Sequence, residues 1–195
     1  MSSVSSQTLF TCARCGASYE APVYQMIDAA AEPPIKERVK DGSIFVRECP
    51  ECGMRELIST PVIYKDAGLL VCLAGRKLSV EGLEGLQGRL VGDIGSLIEK
   101  VKVFDTGLDD IALEFCKFVT RQEMGKDVEL KFLRIEGADH DIIFTYPENG
   151  EMQLLSVGFN VYEDCSAIVR RNPLIARAAE GLARIDREWV EQFIA

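Results

Sequence analysis

The chain has 195 residues, a formal charge of −9 and a single histidine. A chain of this length can bury a core as one domain or as two small ones, and none of its apolar runs reaches the ~18–20 residues of a membrane span. The acidic charge opposes attraction to phosphate backbones, which argues against nucleic acid as a partner. Residues 1–8 show no basic segment followed by an apolar core, so we expect a disordered tail and a soluble, cytoplasmic protein without a secretory signal.

Two Cys-x-x-Cys-Gly units dominate the first half of the sequence, with 33 residues between Cys15 and Cys49. A two-residue spacer lets a tight turn present both thiolates to one ion, and the following glycine allows positive φ as the chain leaves the turn. Structural zinc takes four such ligands in a tetrahedron, with Zn–S distances of about 2.3 Å. We therefore predict one structural zinc ion bound by Cys12, Cys15, Cys49 and Cys52.

Other roles for these cysteines remain open. A thiol–disulfide pair normally starts a helix in a βαβ unit, and neither cysteine pair precedes a helical pattern. Iron is an alternative metal, whereas a catalytic zinc keeps one ligand position open that four thiolates would fill. The remaining Cys72, Cys116 and Cys165 lie in apolar segments. This cysteine usage fits a reducing cytoplasm better than a disulfide framework.

Three arginines flank the cysteine pairs, at Arg14, Arg47 and Arg55. Four thiolates subtract four charges and one zinc ion adds two, which brings the formal charge from −9 to −11. The arginines would offset the negative metal cluster, and a nucleic-acid patch is the alternative interpretation. The overall acidity favours the first interpretation.

The pattern of residues 9–78 predicts an antiparallel, zinc-ribbon-like sheet with a helical insert. Strands flank each cysteine pair, and a Lys65–Gly68 turn predicts a hairpin after the second pair. The gap between the pairs exceeds the ~15–20 residues usual in zinc ribbons. Prolines at its start and a glycine after its end predict a short helix over residues 33–42. Residues 79–92 contain four glycines but no phosphate-loop motif, so we predict a linker.

The pattern of residues 93–195 predicts a second domain, of the α+β class. Asp109 and Asp110 suit the positive end of a helix dipole. Trp189 lies on the apolar stripe of the last predicted helix, which indicates a core position. The predicted elements are helices at 93–103 and 108–123, a three-stranded meander at 128–135, 140–146 and 152–157, and helices at 160–171 and 173–193.

The sequence resembles the CpXC family over residues 9–75. The resemblance rests on Cys12-x-x-Cys15-Gly16, on Cys49-Pro50-x-Cys52-Gly53, on the insert ending Asp41-Gly42 and on the hairpin with Tyr64. It is looser further on, at residues 97–100 and 104–110. The resemblance implies a prokaryotic protein with a zinc-binding domain and without an established activity.

No catalytic constellation emerges, so the sequence favours a protein other than an enzyme. Asp139-His140-Asp141 is interpreted as a polar turn, and Asp109 and Asp110 diverge by about 100° around a helix. The leading hypothesis is an interaction or adaptor protein with a protein partner. The alternatives are an enzyme with a site between the two domains, using Asp109, Asp110 or His140, and a redox sensor in which oxidation ejects zinc. The sequence leaves the oligomeric state open.

Overall fold

The computed structural model describes residues 2–73 and 85–194. Strands and helices occur in both halves of the chain, which confirms the α+β class. The chain divides into two compact units, residues 1–98 and 99–195. The division falls inside helix α2 (Ile94–Asp105) rather than in the predicted linker 79–92.

The first unit holds a mixed sheet and a separate small hairpin. Its elements are β1 (Val4–Thr11), β2 (Ser18–Asp28), α1 (Pro34–Lys40), β3 (Val46–Glu48), β4 (Arg55–Leu57), β5 (Val62–Asp66), β6 (Leu69–Leu73) and β7 (Gln87–Val91). The main strands lie in the order β1-β2-β5-β6-β7, and β3 pairs with β4 apart from them. The pairs β2–β5 and β6–β7 are parallel, so the prediction of a purely antiparallel sheet is wrong. Parallel pairing needs a long connection, and the segment carrying α1 and the β3–β4 hairpin provides one between β2 and β5.

Two segments predicted to be irregular are strands. Residues 4–8 of the predicted tail 1–8 belong to β1, which pairs antiparallel with β2 along its whole length. Residues 87–91 of the predicted linker 79–92 form β7, and residues 79–84 of that linker lie outside the described residues. Both strands depend on pairing with distant segments, which local turn signals do not reveal.

The second unit packs a meander against helices. Besides most of α2, its elements are α3 (Asp110–Met124), β8 (Lys131–Glu136), β9 (Asp141–Glu148), β10 (Glu151–Val157), α4 (Phe159–Arg171), α5 (Pro173–Ala178), β11 (Leu182–Ala183) and α6 (Arg187–Glu191). The antiparallel order β10-β9-β8 confirms the predicted meander. Phe132 and Phe144 of the sheet, Leu113 of α3 and Trp189 of α6 are buried in one core cluster. The core position predicted for Trp189 is therefore confirmed.

The single helix predicted over residues 173–193 is wrong. The chain breaks it into α5, a two-residue strand and α6. Gly181 has a φ of 71°, which is incompatible with a continuing helix. Asp186 then starts α6 by accepting a hydrogen bond from the Trp189 backbone N–H at 3.0 Å. The apolar residues at helical spacing concealed this break, although α5 buries Ile175 and leaves Leu174 of the predicted stripe 63% exposed.

The three cysteines outside the metal motif are buried, as their apolar surroundings predict. Burial raises the pKa of Cys116 to about 12, and that of Cys72 and Cys165 to about 11. These thiols stay protonated near neutral pH. Within residues 2–73 and 85–194, no helix has both the length and the apolar character needed to cross a bilayer.

Candidate metal centre

The first cysteine pair lies in the turn that joins β1 to β2. The Cys12 N–H donates to the Ala17 carbonyl and the Gly16 N–H donates to the Cys12 carbonyl, both at 2.9 Å. Gly16 has a φ of 74°, a conformation that glycine adopts without the steric cost of a Cβ atom. These bonds fold Cys12 and Cys15 back so that both side chains leave the same side of the turn.

The second pair lies in a turn of the same design between β3 and β4. The Cys49 N–H donates to the Met54 carbonyl at 2.8 Å, and the Gly53 N–H donates to the Cys49 carbonyl at 2.9 Å. Gly53 has a φ of 68°, close to the value at its counterpart in the first turn. The prediction of two similar glycine-terminated turns is confirmed.

The four sulfur atoms of the two turns converge. The Sγ atoms of Cys12 and Cys52 are 3.6 Å apart, and those of Cys15 and Cys49 are 3.7 Å apart. All four Sγ atoms lie within 4.8 Å of one another. A tetrahedron with metal–sulfur bonds of about 2.3 Å has edges of roughly 3.8 Å, and a disulfide would need about 2.05 Å. The donor set and spacing therefore fit one tetrahedral metal ion.

Backbone amides prepare the cluster for negative charge. The Cys15 N–H donates to the Cys12 sulfur, and this bond, together with one from the Arg14 N–H, outweighs burial and lowers the pKa of Cys12 to about 7. At Cys15 the Ala17 N–H acts in the same direction, but desolvation and the neighbouring thiols raise the pKa to about 12. The thiolate is thus favoured at Cys12 and disfavoured at Cys15, and a bound cation would favour it at both.

Two of the three flanking arginines have carboxylate partners. Arg47 contacts Glu56 at 2.5 Å and lies over the Phe10 ring, 3.8 Å from its centroid. Arg55 lies 3.9 Å from Glu48. Both guanidinium groups have local carboxylates to balance them, which leaves less positive charge for the cluster or for a phosphate backbone.

The aspartates predicted at the start of α3 have separate structural roles. Asp109 accepts a hydrogen bond from the Ile111 N–H at 2.9 Å, which confirms a helix-start role for it. Asp110 is buried and accepts a hydrogen bond from Lys100 Nζ at 2.8 Å. Neither aspartate is among the residues that line the pocket beside His140.

Asp110 belongs to a buried network of charges that the sequence did not reveal. Lys117 Nζ contacts Glu99 at 2.5 Å and Glu114 at 2.8 Å, and Lys100 Nζ lies 3.8 Å from Glu114. All five side chains are at most 8% exposed. Burial alone would lower the pKa of Lys117, but the carboxylates of Glu114 and Glu99 hold it above its ordinary value. The network joins α2 to α3 within the second unit.

His140 lines a pocket of about 640 Å³ whose described walls all belong to the second unit. Tyr162, Ser166 and Arg170 line it at four-residue intervals, which sets them on one face of α4. The Tyr162 hydroxyl accepts a hydrogen bond from the Asp109 N–H at 2.8 Å, and its own proton has no acceptor among the described residues. Sequence reasoning selected only His140, although the four-residue spacing within the predicted helix 160–171 was available as a signal.

Comparison with known proteins identifies a family for this chain. The model of the CpXC protein family matches residues 10–117, a stretch that contains both cysteine turns. No curated protein and no solved structure matches the chain. Since the family match covers more than half of the sequence, the chain belongs to the CpXC family.

Proposed function

We propose that Cys12, Cys15, Cys49 and Cys52 bind one structural zinc ion and that the chain serves as an interaction protein. The Sγ separations of 3.6 and 3.7 Å carry this proposal, because they match a closed tetrahedron. Four thiolates leave no ligand position for water or substrate. Tetrahedral thiolate sites take zinc or iron, and the family resemblance favours zinc. The ion would tie the β1–β2 turn to the β3–β4 turn.

The compartment and the class of partner follow from charge and thiol chemistry. Free thiols and a thiolate metal site suit a reducing environment, so we assign the chain to the cytoplasm. A formal charge of −9 disfavours nucleic acid, and the carboxylates near Arg47 and Arg55 disfavour it further. A protein partner fits better.

An exposed apolar pair on the meander supports a protein partner. Met152 and Leu154 lie on the same side of β10 and are 63% and 61% exposed. In the described part of the chain, β10 is an edge strand of its sheet. An apolar edge strand is a surface on which another chain can pair or pack. We assign the partner to this surface, which we call the β10 edge.

Affinity capture from an extract of the source cells tests the adaptor role. The bait is the full zinc-loaded chain, compared with a Met152→Asp/Leu154→Asp variant. A matched control is Ile168→Asp/Leu174→Asp, which adds the same charges at side chains that are 56% and 63% exposed elsewhere. We expect the wild type and the control to retain near-equal amounts of a partner protein. The β10 variant should retain at least about tenfold less of it, as for the loss of interface anchors. Equal retention by all three baits would contradict the proposal.

A second candidate function is ligand binding or catalysis in the His140 pocket. The observation that favours it is the lining of the pocket, where His140 lies with Tyr162, Ser166 and Arg170. The backbone φ of 58° at His140 needs no separate reason, because histidine, like asparagine and aspartate, is enriched in the left-handed region. Tyr162 and Ser166 add buried hydroxyl groups, and Arg170 adds a cation. This mixture suits a small polar molecule.

The variant His140→Asn tests this second candidate because asparagine tolerates the same backbone conformation. Small polar aromatic compounds, beginning with imidazole carboxylates and nucleosides, are titrated into the full chain while amide NMR signals are recorded. We expect saturable shifts at Tyr162 and Ser166 in the wild type. The affinity measured from these shifts should fall at least about tenfold in the variant, as for the loss of one polar contact. The candidate fails when no compound shifts these signals.

A further inference from the structure

Arg121, in the last turn of α3, is a buried residue with an unsatisfied guanidinium nitrogen. The residue is only 6% exposed. Its Nη2 atom is buried and has no hydrogen-bond partner among the described residues. Buried charged groups in proteins are normally paired and hydrogen-bonded, since burial removes their hydration. One nitrogen of this guanidinium therefore lacks the compensation that buried charged groups normally have.

The neighbouring carboxylates are already engaged by other cations. Arg187 forms ion pairs with both Asp127 and Glu191. Lys126 lies 2.6 Å from Glu148. Burial and the like charge of Arg187 lower the pKa of Arg121, although the carboxylates of Glu114, Glu191 and Asp127 partly oppose this. The fold thus holds the guanidinium in surroundings that disfavour its charge.

Arg121 lines a small pocket in the second unit. The pocket has a volume of about 330 Å³ and includes Phe118, Gln122 and Lys126 in its wall. This volume lies at the lower end of the range for small-molecule sites, about 300–1,000 Å³. Phe118 is partly buried against the core and supplies an apolar wall beside the cation.

We propose that this pocket binds a small monoanionic carboxylate through Arg121. A carboxylate offers two coplanar oxygens that match the guanidinium fork, which makes it a natural ligand for an arginine with an unsatisfied nitrogen. Asp127 and Glu191 also line the pocket, so a dianion such as phosphate meets repulsion that a monoanion meets less strongly. The Phe118 wall favours a carboxylate with an apolar body. This site is separate from the metal centre and goes beyond the proposed adaptor role.

Thermal unfolding of the full zinc-loaded chain tests the site, with sodium benzoate as the probe and sodium acetate, phosphate and chloride at equal ionic strength for comparison. We expect benzoate to raise Tm in a saturable way, as a ligand that binds only the folded state must. Acetate should act more weakly, and phosphate and chloride should have little effect. In Arg121→Met the benzoate response should vanish, and the ligand-free Tm should rise, because a buried charged group with an unsatisfied nitrogen has been replaced by an apolar side chain of similar length.

Arg134→Met serves as the matched control, since Arg134 pairs with Glu136 on the exposed face of β8. It should keep the benzoate response. Amide NMR shifts at Gln122 and Gly125 in the wild type provide a measurement that needs no variant. The proposal is overturned when benzoate gives no saturable shift there, when phosphate acts as strongly as benzoate, or when Arg121→Met lowers the ligand-free Tm and keeps the response.

Discussion

We expect the replacement of Cys49 by serine to abolish stoichiometric binding of the proposed zinc ion and to unfold the end of the first unit that carries the two cysteine turns. The substitution removes one of four converging sulfurs and leaves three thiolates around an ion that needs four. Outer-shell changes alone cost about 10–100-fold in metal affinity, so loss of a direct ligand should exceed ~100-fold.

The folding effect follows from how little else holds the turns together. The buried cluster at the metal centre consists of Cys12, Tyr19, Ala21 and Cys49, so half of its members are the predicted ligands. Structural zinc sites contribute roughly 10–16 kcal/mol in small peptides, which far exceeds the contribution of two further buried side chains. We expect hydrogen exchange at Cys12–Ala17 and Cys49–Met54 to become fast in the variant.

Elemental analysis of the purified chain and hydrogen exchange by mass spectrometry measure the two effects. Cys72→Ala is the control, because Cys72 is a buried cysteine of the same unit that lies on β6, outside the cluster. It should retain one zinc per chain. If the analysis finds one iron per chain instead, the identity of the proposed metal changes and the four-cysteine site stands. A wild-type chain without metal, with intact folding and reactive thiols, would falsify the structural role and favour the redox sensor, for which Cys15 is exposed.

The two cysteine turns were predictable because the determinants of each turn are local. A two-residue spacer and a following glycine define each turn within five residues, and the two turns share their hydrogen bonds and their positive φ at Gly16 and Gly53. The meander β8–β10 was predictable for the same reason, since Asn149-Gly150 forms its second turn with both residues at positive φ. Short-range chemistry fixes these features before any distant contact forms.

Features set by distant partners were not predictable. Val4–Thr11 is a strand because β2 lies beside it, and Gln87–Val91 is a strand because β6 does. The sequence also gave no reason to distinguish Lys117 or Glu99 from solvated charges on an amphipathic helix. Their burial depends on the packing of α2 against α3 within the second unit, which a single-helix pattern does not contain.

Replacing Lys117 by methionine destabilises the second unit by about 3–5 kcal/mol, the usual cost of leaving buried charges without their partner. Lys117 Nζ contacts Glu99 at 2.5 Å and Glu114 at 2.8 Å. Its loss leaves each of these buried carboxylates with a cation no nearer than the 3.8 Å contacts of Glu99 with Lys131 and of Glu114 with Lys100. Glu99 also accepts a hydrogen bond from the Phe132 N–H at 2.5 Å, which fixes it in place and prevents escape to water. Chemical denaturation monitored by the fluorescence of Trp189 measures the change in the free energy of unfolding.

The control for this charge removal is Arg134→Met. Arg134 Nη2 lies 2.7 Å from its partner Glu136, but the Arg134 side chain is about half exposed. Exposed pairs contribute at most about 1 kcal/mol, so the control should stay near the wild type. The double variant Lys117→Met/Glu99→Gln should be less destabilised than the sum of its single variants, because it removes one of the two stranded charges. Equal effects at Lys117 and Arg134 would mean that water reaches the network, and the charges of α2 and α3 would then act as surface pairs.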